Sequence, residues 1–96
     1  MAAYLIADVQ VTDAKVFEEY RALVPATVQQ YGGRFLVRGG KMETMEGNRP
    51  FTRLVVIEFP SMEQAKRWYD SEEYRRPKEI RFRSARTDVT LAEGVS

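Results

Sequence analysis

The spacing of apolar and polar positions predicts a strand followed by a helix at the start of the chain. Tyr4 to Val11 is almost continuously apolar and rich in β-branched residues, which is typical of a strand covered on both faces. Thr12 or Asp13 then caps a helix, and Gly32 ends it in a left-handed conformation. The apolar positions between them follow a helical period; they are Val16, Phe17, Tyr20, Leu23, Val24, Val28 and Tyr31.

The middle of the chain predicts two more strands. Arg34 to Arg38 is the first, and Gly39-Gly40 allows a bulge or sharp bend before the strand continues over Lys41 to Met45. Glu46-Gly47-Asn48 has the composition of a turn. Leu54 to Phe59 is a third strand, which runs through Pro60 directly into the next element.

The last third predicts a helical region and a final strand. Ser61 caps a helix whose inward positions are Met62, Ala65, Trp68 and Tyr69. Glu72 to Ala85 is a further helical segment that Pro77 is expected to interrupt. Asp88 to Ala92 completes the pattern as a strand.

Pro25 lies within the first predicted helix and should kink it. Proline has no N–H to bond the carbonyl of Arg21, four residues earlier, and its ring crowds that carbonyl. A bend that wraps the helix over a twisted sheet is one interpretation. A polar notch that serves a ligand is the other.

The predicted order β-α-β-β-α-β defines an α+β fold in one domain, residues 1–96. With right-handed crossovers it folds as a ferredoxin-like split βαβ unit, a four-stranded antiparallel sheet with helices on one face. The other face is not polar, because Tyr4, Ile6, Leu54 and Val56 alternate onto it. We therefore expect a second copy to pack on it, which would give a homodimer in the form of a dimeric α+β barrel.

The charge and composition of the chain exclude several classes of partner. The net charge of +1 is too small for a polyanion-binding protein, so no nucleic-acid partner is expected. The first residues lack a basic region and no apolar run approaches a membrane span, which predicts a cytoplasmic protein without a membrane partner. Cysteine and histidine are absent, so neither a metal site nor a cofactor is expected.

Three segments of this sequence resemble a known family. They are GGRFLVRGGKMETMEG, RLVVIEFPSMEQAKRWYDSEEY and the closing LAEGV, and together the resemblance covers about Ala3 to Val95. The chain is similar to the DUF1330 family of small bacterial proteins, within the dimeric α/β-barrel superfamily of ferredoxin-like domains. The resemblance implies this fold and a dimer, and it implies no reaction. Pro77 departs from the family pattern, which is an uninterrupted helix at this point.

The first candidate site combines an arginine with two carboxylates. Arg38 at a strand end, followed by Gly39-Gly40, could hold a carboxylate with its guanidinium and exposed amides. The alternative is a structural bulge in which Arg38 pairs with Glu58 or another acid. Glu58 and Asp8 fall on the same sheet face, where a carboxylate could act as a general base or form a structural ion pair.

The second candidate site is aromatic. Tyr20, Trp68, Tyr69 and Tyr74 could line a pocket between helices and sheet, with Tyr20 in a catalytic role, or could form plain core. Six basic residues also lie between Arg75 and Arg86; they indicate either an anion patch or a solvated helix face with one inward arginine.

These residues favour a cofactor-free enzyme, an isomerase or a monooxygenase-like protein, that acts on a small organic acid or aromatic metabolite. In that hypothesis Arg38 and Gly39 bind an anionic group, and Glu58 or Asp8 moves a proton. The alternatives are a binding module without turnover and a structural dimer whose interior is filled by side chains.

Overall fold

The computed structural model describes residues 1–95 and contains one antiparallel sheet with the strand order β2-β3-β1-β4. This is the ferredoxin-like arrangement that the sequence predicts, with a third helix added by the break at Asp70-Ser71. The elements are β1 (Ala3–Val11), α1 (Ala14–Gln30), β2 (Arg34–Arg38), β3 (Leu54–Phe59), α2 (Met62–Tyr69), α3 (Glu72–Ser84) and β4 (Ala85–Glu93).

Strand β1 lies between β3 and β4, and its alternating residues separate the two faces of the sheet. Leu5 is paired with Ile57 on one side and with Leu91 on the other. The odd-numbered residues of β1 from Ala3 to Val9 are buried, as are Ile57 and Phe59 of β3. The predicted assignment of this face to the helices is therefore confirmed, and the core lies between the sheet and the three helices.

Local signals place the ends of α1. Asp13 is its N-cap, and the Asp13 carboxylate accepts a hydrogen bond from the Val16 amide at 3.2 Å. Gly32, at φ +78°, turns the chain after the helix. Gly33 follows at a point of close packing, where a Cβ atom would lie 2.7 Å from the Phe59 ring.

The predicted continuation of β2 over Lys41 to Met45 is wrong, because β2 ends at Arg38. Gly39 has φ +68° and its amide donates to the Leu54 carbonyl at 2.9 Å, which closes the last pairing with β3. The chain then leaves the sheet edge and returns at Arg53 as irregular structure. The irregularity in the β2–β3 ladder lies earlier than predicted, between Phe35 and Val37.

Both internal prolines are accommodated within continuous helices. Helix α1 runs through Pro25, and α3 runs through Pro77, so the predicted interruption of α3 is wrong. Pro77 cannot donate to the carbonyl of Glu73, but Glu73 is an exposed residue of the first turn, where water can replace that donor. The Pro77 ring itself is buried in the core. Across residues 1–95, no helix has the length and apolar character needed to cross a membrane.

Candidate functional site

A cavity of about 40 Å³ lies between the buried face of the sheet and the helices. Its walls are mainly apolar and aromatic, with Leu5, Ala7, Val9, Val55 and Ile57 from β1 and β3, and Phe17, Tyr20, Phe35, Trp68, Tyr69 and Tyr74 around them. Such a volume holds about three water molecules. An aromatic ligand would therefore have to displace wall side chains as it enters.

The aromatic wall is held in place by stacking and by two buried hydrogen bonds. Trp68 stacks on Tyr74 with ring centroids 4.0 Å apart. The Trp68 indole N–H donates to the Thr27 hydroxyl at 3.0 Å, and Thr27 in turn donates to the Val24 carbonyl at 2.8 Å. The wall predicted from sequence is thus both core and cavity lining, since Trp68 and Tyr74 are each only 1% exposed.

Two tyrosine hydroxyls and an arginine form a chain of hydrogen bonds along one side of the cavity. The Tyr20 and Tyr74 hydroxyl oxygens are 2.8 Å apart, and Arg81 Nε donates to the Tyr74 oxygen at 3.2 Å. Burial, followed by the neighbouring Tyr74, raises the pKa of Tyr20 well above its usual range. Burial likewise raises the pKa of Tyr74. Both hydroxyls are therefore protonated at neutral pH.

Arg81 is a buried cation without an acidic partner. Its residue is 4% exposed, and its guanidinium also donates to the Thr87 hydroxyl. Within residues 1–95, no carboxylate oxygen lies within 4.0 Å of it. A buried charge without an opposite charge is costly, and the two neutral hydroxyls offset only part of that cost.

Three further arginines, here called the rim arginines, line the cavity where it meets the surface: Arg21, Arg38 and Arg53. They come from α1, from the end of β2 and from the residue before β3. Arg21 has a weak partner in Glu18 at 3.5 Å. Neither Arg38 nor Arg53 has a carboxylate within 4.0 Å in the described part of the chain.

Pro25 contributes directly to the position of Arg38. Since proline has no N–H, the Arg21 carbonyl receives no hydrogen bond from residue 25. Arg38 Nη2 donates to this carbonyl at 3.1 Å, and the Arg38 guanidinium lies 4.6 Å from the centroid of the Phe35 ring. The carbonyl that Pro25 leaves free is therefore bonded by an arginine of β2, and a role of this notch for a ligand stays a prediction.

Arg53 lies close to two other cations, Arg21 and Arg38. Its Nε is buried and has no hydrogen-bond partner in residues 1–95. Burial, followed by the charges of Arg21 and Arg38, lowers the pKa of Arg53, although an arginine remains charged at neutral pH. Gly39 packs against this guanidinium and leaves no room for a side chain, since a Cβ would lie 2.8 Å from Arg53 Cζ. The Gly39 amide is already bonded to Leu54, so it is not available to a ligand.

The two predicted carboxylates lie on the opposite face of the sheet from the cavity. Glu58 accepts from Arg34 Nε at 2.7 Å, and the hydrogen bonds from Arg34 and then Tyr4 lower its pKa. Asp8 accepts from the amides of Thr52 and Arg53 at 2.8 and 3.1 Å. The alternative in which Arg38 pairs with Glu58 is therefore wrong. The catalytic role of these carboxylates stays a prediction. The sheet separates them from the other candidate site residues.

Sequence reasoning found Arg38 and the aromatic wall but not Arg21, Arg53 or Thr87. It anticipated one inward arginine among the basic residues of the last helix without naming it, and the structure identifies this residue as Arg81. A helical signal was available, because Arg81 follows the buried Tyr74 by seven residues, two turns along the same face. No comparable signal marked Arg53. Within residues 1–95, no three side chains of metal-binding type are clustered.

Comparison with known proteins gives the family of the chain. Residues 2–95 match the model of the domain of unknown function DUF1330, and the chain belongs to this family. The resemblance found in the sequence is confirmed. No curated protein sequence matches the chain.

Solved structures share the fold at low identity. A protein of unknown function from Rhodopseudomonas palustris superposes with a TM-score of 0.80 at 12% identity, over 99% of this chain and 83% of that one. SnoaB, a cofactor-independent oxygenase from Streptomyces nogalater, gives 0.68 at 12% identity over 99% and 94%. A putative antibiotic biosynthesis monooxygenase from Nitrosomonas europaea gives 0.59 at 10% identity over 98% and 90%. These likenesses support the ferredoxin-like fold alone.

Proposed function

We propose that this protein binds a small organic acid, aliphatic or aromatic, in the cavity between sheet and helices. The observation that carries the proposal is the cluster of rim arginines, in which Arg53 Nε is buried without a hydrogen-bond partner. A ligand carboxylate would accept from Arg53 and Arg38 and would offset the mutual repulsion of the three cations. The aromatic wall would cover the apolar body of the ligand.

Binding of benzoate and short aliphatic acids tests this proposal. Benzoate should raise the melting temperature and give a saturable calorimetric signal, because a ligand that binds only the native state stabilises it. Arg38→Ala and Arg53→Gln should each remove binding while the fold is retained. Arg67→Ala is a matched control, since Arg67 is an exposed arginine paired with Glu63 on α2. Unchanged affinity in Arg38→Ala would exclude Arg38 from the site.

A catalytic role on such a ligand is the more specific part of the proposal. The fold is shared with a cofactor-independent oxygenase and a putative monooxygenase, so a monooxygenase-like activity is the first reaction class to test, while the shared fold does not by itself specify a reaction. No carboxylate is among the residues that line the cavity, so the groups that could exchange a proton with a ligand are tyrosine hydroxyls, and Tyr20 is the one we propose. Turnover of any bound acid, followed by mass spectrometry with wild type and Tyr20→Phe, separates an enzyme from a binding module.

The assembly we propose is a homodimer that buries the open face of the sheet. We define the open face by its apolar centre, which consists of Tyr4, Ile6, Leu54 and Val56, each only partly buried in one chain. Ile6 and Val56 are paired across β1 and β3, so the apolar surface is continuous. Arg34 and Glu58 flank it with opposite charges, which suits a second copy of the same surface.

Sedimentation velocity at micromolar concentration tests the dimer. Wild type should sediment as a dimer, and Ile6→Lys should shift it to a monomer, because a charge would be buried at the centre of the interface. Leu23→Lys changes an exposed residue of α1, on the helix side of the sheet, and should leave the dimer intact. A wild-type monomer under these conditions would refute the assembly.

A further inference from the structure

A second polar region of the cavity lies on the β4 side, away from the rim arginines, and is formed by Arg81 with Tyr74 and Thr87. We propose that Arg81 binds an oxygen anion of the ligand, a phenolate or an enolate, while the rim arginines hold its carboxylate. The ligand class is then an acid that also carries a phenol or an enolisable carbonyl group. The carboxylate half of this inference rests on the proposed function.

The sheet register places the backbones of Arg53 and Thr87, one residue from each region, on opposite sides of β1. Arg53 immediately precedes β3 and lies beside Val9 of β1, because the Val9 amide donates to the Arg53 carbonyl. Val9 is paired on its other side with Thr87 of β4, the residue bonded to Arg81. Two strand spacings therefore lie between the backbones of Arg53 and Thr87, about 10 Å. Side chains that extend into the cavity from these backbones shorten the span that a ligand has to bridge. A single flat ring with polar groups at opposite edges suits the shortened span.

The hydrogen bonds of Arg81 indicate a negatively charged oxygen. Arg81 donates to two neutral hydroxyls, those of Tyr74 and Thr87, and neither compensates its charge. A guanidinium has five N–H groups, so donors remain for a ligand. Since Arg81 is 4% exposed and lines the cavity, the anion that completes its environment has to enter there.

Phenolate and enolate suit this position better than a second carboxylate. Arg81 Nε already donates to the Tyr74 hydroxyl, so one of the two N–H groups that would hold a carboxylate side-on, Nε and Nη2, is taken and a single oxygen fits the other. The surrounding walls are aromatic, and Trp68 stacks on Tyr74 beside the guanidinium. A flat conjugated ligand with a single oxygen anion meets both conditions. Its proton is released to solvent as the oxygen ionises.

Two small probes separate this inference from the carboxylate site. 4-Nitrophenol carries an ionisable phenol without a carboxylate, and its absorbance reports ionisation; benzoate carries only the carboxylate. Titrated with the 96-residue protein in excess, 4-nitrophenol should have a pKa about 1 to 3 units lower than in solution, the range found beside an arginine. Arg81→Met should abolish this shift and leave benzoate affinity within about twofold. Arg81→Lys keeps the charge and should retain part of the shift.

Each outcome decides one of the two proposals. Bound 4-nitrophenol with its solution pKa, or the same shift in Arg81→Met as in wild type, would overturn the oxyanion site even if benzoate binds. A shifted 4-nitrophenol without benzoate binding would overturn the carboxylate site and support Arg81. Absence of binding by both probes would overturn both. Far-ultraviolet circular dichroism of Arg81→Met and Arg81→Lys establishes that each variant is folded.

Discussion

Tyr20 and Tyr74 should make this protein unusually sensitive to alkaline pH. Their hydroxyls lie 2.8 Å apart in the cavity, and burial raises the pKa of both above the value of about 10 that a tyrosine has in an unfolded chain. Above pH 10 the unfolded chain loses these protons while the native state keeps them. The stability they contribute is complete below pH 10 and is lost as the pH rises toward their native pKa values.

The size of the effect follows from proton linkage. A tyrosine that stays protonated in the native state and has a pKa of 10 when unfolded lowers the free energy of unfolding by about 1.4 kcal/mol between pH 9 and pH 11. Tyr74 acts in the same direction, because burial raises its pKa too. Tyr20→Phe removes one of these contributions. It also removes the hydrogen bond to Tyr74, worth about 1 kcal/mol at neutral pH.

Urea unfolding at pH 7, 9 and 11 measures these differences. Tyr20→Phe should be less stable than wild type by about 1 kcal/mol at pH 7 and should match or exceed it at pH 11. Other groups that titrate in this range are common to both proteins and cancel in the comparison. Val24→Ala is the control, because it truncates a buried residue that has no titratable group. Parallel pH dependence in wild type and Tyr20→Phe would refute the reasoning.

Three further substitutions test how the site is supported. Pro25→Ala restores the helical hydrogen bond to the Arg21 carbonyl and releases Arg38; urea unfolding should show a gain of up to about 2 kcal/mol, and calorimetry a loss of benzoate affinity. Gly33→Ala places a methyl group against Phe59 and should destabilise the protein by about 1 to 3 kcal/mol in the same unfolding assay. Thr27→Val leaves the buried Trp68 N–H without its acceptor and should cost about 1 to 3 kcal/mol by thermal unfolding, with a change in tryptophan fluorescence.

Each of these three predictions would be contradicted by a different result. Full benzoate affinity in Pro25→Ala would show that Arg38 does not depend on the Arg21 carbonyl for its position. Wild-type stability of Gly33→Ala would mean that the Phe59 ring moves aside without cost. Unchanged fluorescence and stability in Thr27→Val would show that water replaces the threonine hydroxyl as acceptor.

Much of the fold was predictable because its signals are local. The period-2 pattern of Tyr4 to Val11 and Leu54 to Phe59 distinguishes the helix face of the sheet from its open face, and the two buried sets follow the expected alternation. Asp13 and Ser61 cap helices as predicted, since a side-chain oxygen that accepts from an amide three residues later needs only neighbouring residues.

The prediction of the fold was wrong at two places, where strand pairing or burial decides the conformation. Lys41 to Met45 was predicted to continue β2 after a bulge at Gly39-Gly40, yet the chain turns away at Gly39 and this segment has no partner strand. Pro77 was expected to interrupt a helix on intrinsic propensity, and tertiary packing overrides that preference because the ring is buried in the core. Neither outcome could be predicted from the residues that flank each segment in the sequence.

The candidate site depends still more on tertiary structure. Sequence alone identified Arg38, Tyr20 and the aromatic residues of α2 and α3 as site candidates, because arginine at a strand end and aromatics on one helical face are visible as patterns. It also grouped Glu58 with them, whereas the structure places Glu58 on the opposite face with Arg34.

The sequence by itself thus determined the order of elements, the helix-facing residues and the family. Only the tertiary structure decided which charged groups meet: the rim arginines come together from α1, from the end of β2 and from the residue before β3. The physical reason is how far apart along the chain the residues that set each feature lie. Strand alternation and helix caps are set by residues within a few positions of one another, whereas a charge cluster is set by the packing of segments distant along the chain.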